Sequence, residues 1–154
     1  MAINIFEIDG FEADDIIGTF AKKCEEDDDY EALIISSDKD LLQLISHETS
    51  VKLLKTKDSI KYNPKNFKEE WGFEPIRMID YKALAGDPSD NIPGVKGIGE
   101  KTAISLLVKY GSLDNLYANI DSVTGKTKDK LIEDKLHAEC FANGCSPQGL
   151  QVSI

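Results

Sequence analysis

The stretch that most restricts the fold is GDPSDNIPGVKGIGEKTA, residues 86 to 103, where four glycines and two prolines separate patterns that read as helix on both sides. No regular element runs through that composition, so the chain turns here and a helix restarts near Glu100. Two nucleotide-binding readings of the glycines fail on their neighbours. A P-loop needs Gly-Lys-Ser/Thr after its spacer and a strand before it, whereas Gly99 precedes Glu100 and the upstream segment is helical. The dinucleotide fingerprint fails on the same missing strand. What is left is a helix, a tight hairpin through Gly94, Gly97 and Gly99, and a second helix. Its first N–H groups, with Lys101, would point at a phosphate. Such a contact is blind to base sequence. A plain interhelical turn is the alternative, and the glycines alone do not separate the two.

On either side of this stretch the hydrophobic pattern differs. INIFEI (3–8) is a short β-prone run, followed by a turn and a helix with Ile16, Ile17, Phe20 and Ala21 on one face. EEDDDYE (25–31) reads as a solvated turn. YEALIIS (30–36) has strand length, SDKDLLQLIS (37–46) reads as a helix, SVKLLK and SIKYN as two strands around TKD, and PKNFKEEWG as a helix. Strand and helix in alternation imply an α/β layer with some parallel pairing. From Pro75, PIRMIDYKALAG, EKTAISLLVKYG, SLDNLYANI and KTKDKLIEDKLHAECFA are all helical patterns, and only LQVSI at the end suggests another strand. The expected organisation is an α/β layer over 1–74 and a helical module after it, leaning on the layer because neither half is large enough for a generous core.

A formal net charge of −10 argues at first sight against a nucleic-acid partner. Carboxylates gathered around divalent cations reverse that argument, so the position of the acids decides. Cys24, Cys140 and Cys145 are too few and too scattered for a disulfide framework, and with His137 they match no common zinc spacing. With 41% hydrophobic and 30% charged residues, no long apolar run and no signal-peptide order at the start, a cytosolic globular protein without a membrane partner is expected.

Outside the solvated run the acids fall in three groups: Glu12, Asp14 and Asp15; Asp38 and Asp40; Asp87 and Asp90. The first two follow expected strands, at the sheet edge where α/β proteins bind ligands. Capping is the competing explanation. Asp9 with Glu12, Ser37 with Asp40, and Asp87 with Asp90 have capping-box spacing, and Pro88 suits a first helical position. Asp14, Asp15 and Asp38 exceed what caps need. Converging carboxylates repel unless a hard cation lies among them, and oxygen-only donors favour Mg²⁺ or Mn²⁺. Two such ions about 4 Å apart suit phosphodiester hydrolysis.

GFEADDIIGTFAKK, SSDKDLLQLIS and ALAGDPSDNIPGVKGIGEKTAISLLVKYGSLDNLYANID resemble, in order and spacing, the 5′-nuclease domains of bacterial DNA polymerase I in the flap-endonuclease family. The likeness runs from about residue 3 to about residue 135. It implies a partial PIN/Rossmann-like nuclease sheet followed by a helix-hairpin-helix module at 75–135, with a divergent tail at 136–154. It implies a metal-dependent 5′-3′ exonuclease and flap endonuclease of DNA replication and repair, in the bacterial cytoplasm and nucleoid or in an organelle. By the same resemblance Glu12, Asp14, Asp15, Asp38, Asp40, Asp87 and Asp90 hold two Mg²⁺ or Mn²⁺ ions. The hairpin at 91–103 grips duplex or flap DNA, or an RNA/DNA hybrid, through Gly94, Lys96, Gly97, Gly99, Lys101 and Thr102, with K⁺ on the carbonyls of Val95 and Ile98. The family carries further aspartate-bearing strands and an arch upstream of GFEADD, and a polymerase domain often follows. This sequence starts at Met1, eleven residues before Glu12. Weak or absent cleavage by this chain alone is therefore expected, with a noncatalytic DNA-binding module, or a fragment completed by another polypeptide, as alternatives.

Overall fold

The structure is a computed structural model that describes residues 3–142. Cys145, the candidate strand LQVSI and the tail from residue 143 onward lie outside the described residues. The chain divides into two compact units, Met1–Phe67 and Lys68–Ile154.

In the first unit, helix α1 (Ala13–Glu25) precedes a three-stranded sheet in the order β1-β2-β3, formed by Ala32–Ser36, Thr49–Leu54 and Ser59–Tyr62. β1 and β2 are parallel, with Ala32 opposite Thr49 and Ser36 opposite Leu53. The connecting residues 37–48 are long enough for a parallel crossover. β2 and β3 are antiparallel, with Leu53 opposite Ile60, and the turn between them closes through the Lys55 N–H on the Asp58 carbonyl at 2.8 Å. Alternation puts Val51 and Leu53 of β2 on the buried face with Ile34, Leu42, Tyr62 and Phe67.

Two expectations for this unit change. The apolar run 3–8 forms no strand, and Ile3, Ile5, Phe6 and Ile8 are all exposed. A strand is stabilised by a ladder partner, and among the described residues none pairs with this run. Instead Phe6, Ile8 and Phe11 lie along Ile16, Thr19 and Phe20 of α1 around an open groove of about 300 Å³, with the rings of Phe6 and Phe20 5.0 Å apart. The helix expected over 37–46 is only a 3-10 turn, Asp40–Leu44. Ser36 Oγ accepts the Asp38 N–H at 3.0 Å and Asp38 Oδ1 accepts the Asp40 N–H at 2.8 Å. These side-chain bonds hold the backbone in a non-helical turn until Asp40.

Helix α2 (Pro64–Trp71) carries the chain into the second unit, and a 3-10 turn (Pro75–Arg77) leads into α3 (Met78–Ala85). Helices α4 (Glu100–Tyr110), α5 (Leu113–Ala118), α6 (Lys126–Glu133) and α7 (Lys135–Ala142) follow. α3 packs against α4 and α7, around Ala83, Leu84, Ala103, Leu107 and Ala138. Residues 136–142 thus continue the helical layer. Asp80 of α3 is 6% exposed and accepts the Leu113 N–H at 3.2 Å, supplying from another helix the partner that the first N–H of α5 lacks. Its carboxyl is pushed up by burial, against the pull of that N–H and of Arg77.

Candidate metal and nucleic-acid site

In the first unit Glu12 is the N-cap of α1, and its N–H donates to Asp15 Oδ2 at 3.0 Å. The capping pair is therefore Glu12 with Asp15, one turn later than the spacing of Asp9 with Glu12 suggested. Asp14 and Asp15 lie in the first helical turn, exposed, where the positive end of the helix dipole favours carboxylates. Asp38 is exposed and Asp40 half-buried, joined by the Asp40 N–H donating to Asp38 Oδ1.

In the second unit, Asp87 and Pro88 start no helix. Residues 87–92 form a turn closed by reciprocal backbone bonds of 2.9 Å between Asp87 and Ile92. Asn91 adopts a positive φ of 55° inside it, a conformation that asparagine tolerates. Asp87 Oδ1 accepts both the Ser89 N–H at 2.9 Å and its hydroxyl at 2.6 Å. The Lys82 ammonium, reaching from the last turn of α3, stands 3.0 Å from Oδ2 of Asp87 and 3.0 Å from Oδ2 of Asp90. The Ser89 hydroxyl and then Lys82 pull the Asp87 carboxyl down to about 2. The contrast with Asp80 is informative. A carboxylate buried for structure is pushed up, whereas Asp87 is held as an anion at every pH where the protein would work.

These residues fit a hard divalent ion. The donors are all oxygens, Asp87 needs no deprotonation to ligate, and the pair Asp87–Asp90 already faces a cation in the form of Lys82. Lys82 and Ser89 escape a sequence reading aimed at ligands, because a lysine on a helical face signals only a solvated surface.

The hairpin follows directly. Val95 and Ile98 are buried and anchor it, the Val95 N–H bonds the Leu84 carbonyl of α3 at 2.9 Å, and the Ile98 N–H closes on the Val95 carbonyl at 2.9 Å. Gly94 has φ +62°, and a Cβ there would lie 2.3 Å from the Gly86 nitrogen, so only glycine permits this approach to α3. Between the two anchors Lys96 and Gly97 are exposed. Gly99 is the N-cap of α4, its carbonyl accepting the Thr102 and Ala103 N–H groups at 3.0 Å. Lys101 is exposed and Thr102 half-buried in that first turn. Its remaining N–H groups face outward as any helix start does. From α6 the Lys130 ammonium donates to the Gly97 carbonyl, and Asp134, the C-cap of that helix, accepts the Lys96 N–H, each at 2.7 Å. Their sequence separations of 33 and 38 residues leave no local signal that could have marked them.

Comparison with known proteins meets this geometry. Residues 1–72 match the 5′-3′ exonuclease N-terminal resolvase-like domain, and residues 73–143 the 5′-3′ exonuclease C-terminal SAM fold. The chain is 47% identical over 141 residues to DNA polymerase I of Streptococcus pneumoniae, covering 90% of this chain and 16% of that protein. It is 48% identical over 136 residues to DNA polymerase I of Bacillus subtilis, covering 86% and 15%. It thus spans about a sixth of the length of these curated relatives. Among solved structures, zinc-bound T5 5′-exonuclease superposes with a TM-score of 0.73 at 26% identity, covering 89% of this chain and 50% of that one. The bacteriophage T5 D15 flap endonuclease in a complex with DNA and metal ions gives 0.72 at 25% identity, with the same coverage. Matched along both units, the chain belongs to the 5′-3′ exonuclease family.

Proposed function

We propose that this chain supplies the metal-binding and duplex-gripping parts of a 5′-3′ exonuclease and flap endonuclease acting on DNA in replication and repair. The observation that carries the reading is the turn at 87–92. Its Asp87 is held ionised at the edge of the hairpin that follows, so carboxylate oxygens and backbone N–H groups sit in one short stretch of chain. Glu12, Asp14, Asp15, Asp38, Asp40, Asp87 and Asp90 form the ligand set, directly or through water. When bound, two Mg²⁺ or Mn²⁺ ions would supply an activated water and stabilise the departing oxygen. The protein's own residues hold and orient. Asp87 and Asp90 offer anionic oxygens, and Ser89 fixes the Asp87 rotamer. Gly94, Lys96, Gly97, Gly99, Lys101 and Thr102 hold the duplex backbone. K⁺ on the carbonyls of Val95 and Ile98 belongs to the same reading, as do an RNA/DNA duplex as substrate, a polymerase domain in the same polypeptide and a place in the bacterial nucleoid. Support comes from the T5 enzyme solved with DNA and metal ions at 25% identity.

The test is cleavage of a labelled 5′-flap duplex over a Mg²⁺ and Mn²⁺ titration, with duplex binding measured in parallel in EDTA. Weak metal-dependent cleavage that disappears in the double variant Asp87→Asn, Asp90→Asn is the expected result. Duplex binding without cleavage at any metal concentration would reduce the proposal to a DNA grip, and absence of both would end it.

A further inference from the structure

Helix α6 holds the hairpin at two adjacent residues with opposite charges. Lys130 lies in α6 and Asp134 is its C-cap, four residues on. The Lys130 ammonium reaches the Gly97 carbonyl, and Asp134 Oδ2 takes the Lys96 N–H. Each bond has an ionised member, the stronger class of hydrogen bond. The fit is close: a Cβ on Gly97, whose φ is +78°, would lie 2.6 Å from Lys130 Nζ. The other oxygen of Asp134 lies 3.9 Å from His137 Nδ1, beyond hydrogen-bond reach, so the bond to the Lys96 N–H is what places the carboxylate on the hairpin. These two contacts grip the two peptide groups that Val95 and Ile98 leave standing out from the core.

We infer that Lys130 and Asp134 are positioning residues, a clasp that sets the hairpin's backbone for phosphate before DNA arrives. This rests on the reading that the hairpin binds a duplex backbone. The clasp has an unusual electrostatic signature. Removing a carboxylate beside a polyanion site strengthens binding if charge alone matters. Removing Asp134 weakens it if the carboxylate works by holding the Lys96 amide in place. Lys130 is likewise separable from a direct phosphate contact. A lysine that neutralises a phosphate contributes about 0.9 to the slope of log affinity against log salt, whereas one that holds a carbonyl leaves the slope unchanged.

The experiment is duplex binding by the full protein in EDTA across a salt series, with the Lys96 amide followed by hydrogen exchange without DNA. Asp134→Ala and Lys130→Met are each expected to weaken binding about tenfold. The salt slope is expected to stay constant, and Lys130→Arg, which keeps a charged donor, to recover most of the loss. Lys96 amide exchange is expected to accelerate in Asp134→Ala while the urea midpoint changes little. Unchanged or tighter binding by Asp134→Ala overturns the clasp, as does a salt slope reduced by about 0.9 in Lys130→Met. Should Asp134→Ala fail to fold, the two Lys130 variants still separate a clasp from a phosphate contact. If the unaltered protein binds no duplex, the phosphate reading fails, and the Lys96 exchange still reports whether the clasp exists.

Discussion

Two turns follow α3 in succession, and each has a lysine on it, yet they present opposite chemistry. In the turn at 87–92 the backbone is closed by the reciprocal Asp87–Ile92 bonds, and what points outward is carboxylate, balanced by Lys82. In the hairpin at 94–98 the apolar side chains point inward, and what stands outward is backbone, steadied by Lys130 and Asp134. A side-chain site needs its acids kept ionised and close together, and a lysine bridging them does both. A backbone site needs its peptide groups held still, which calls for bonds to the backbone itself. On the proposed reading the first turn takes a metal and the second a phosphate, for reasons that lie in what each exposes.

The strongest way to break this comparison is at Gly94, where the two turns meet. A Cβ there would lie 2.3 Å from the nitrogen and 2.7 Å from the α-carbon of Gly86, which are backbone atoms with nowhere to go. Gly94→Ala is expected to cost about 3 kcal/mol or more in urea unfolding, and to abolish both duplex binding and any metal-dependent cleavage. Gly97→Ala meets instead the flexible end of Lys130, at 2.6 Å from Nζ, so beyond the roughly 1 kcal/mol of backbone strain at its φ of +78° its loss should fall on DNA affinity. If Gly94→Ala folds with an unchanged midpoint, the close approach of the hairpin to α3 is not what fixes it.

That distinction among glycines was beyond the reach of the sequence. Gly94, Gly97 and Gly99 look alike as letters, yet one meets backbone, one meets a lysine tip and one meets open space. What the pattern did reveal was periodic. The start of α4 at Glu100, the parallel pairing of β1 with β2, and the antiparallel strands around the TKD turn all follow from local spacing. The run at 3–8 misled because β propensity records side-chain character and not the presence of a neighbour. The three acidic groups were visible as surplus charge. Lys82, which supports the third group, and Lys130 and Asp134, which hold the hairpin, were not, because each acts on a residue that no helical or strand period links to it.

A second, smaller perturbation separates the charge balance of the acidic turn from its shape. Asp87 is drawn from its ordinary 3.8 down to about 2, by the Ser89 hydroxyl first and Lys82 next. Its carboxylate is favoured in the folded state, so the stability it adds is complete above about pH 4 and is lost as the pH falls toward 2. Lys82→Met is expected to move the Asp87 carboxyl upward, read by carbon-detected NMR titration, and to flatten the acid limb of the stability curve. An Asp87 titration that stays where it was would leave the Ser89 contact as the whole cause.

On the hairpin side, Lys101→Ala tests charge without geometry. Lys101 is exposed in the first turn of α4. Its removal is expected to weaken duplex binding severalfold at low salt, equally for all sequences, and to lower the salt slope by about 0.9. This is the opposite slope behaviour to that expected of Lys130, so the pair of variants distinguishes a residue that meets phosphate from one that shapes the loop.

The smallest effect is the most discriminating. Gly99 caps α4 with an ordinary extended backbone, φ −98° and ψ 176°, and nothing lies within 4 Å of a Cβ placed there. Gly99→Ser therefore fits without strain, and its hydroxyl becomes an acceptor for the N–H groups of the first turn. The cap is expected to add a few tenths of a kcal/mol to stability in urea. If those same N–H groups hold a phosphate, the hydroxyl competes for them, and duplex affinity should fall severalfold while stability rises. A plain interhelical turn predicts the gain in stability with no change in binding. Opposite movement of the two measurements, from a substitution that disturbs no packing, is what the hairpin's proposed role requires.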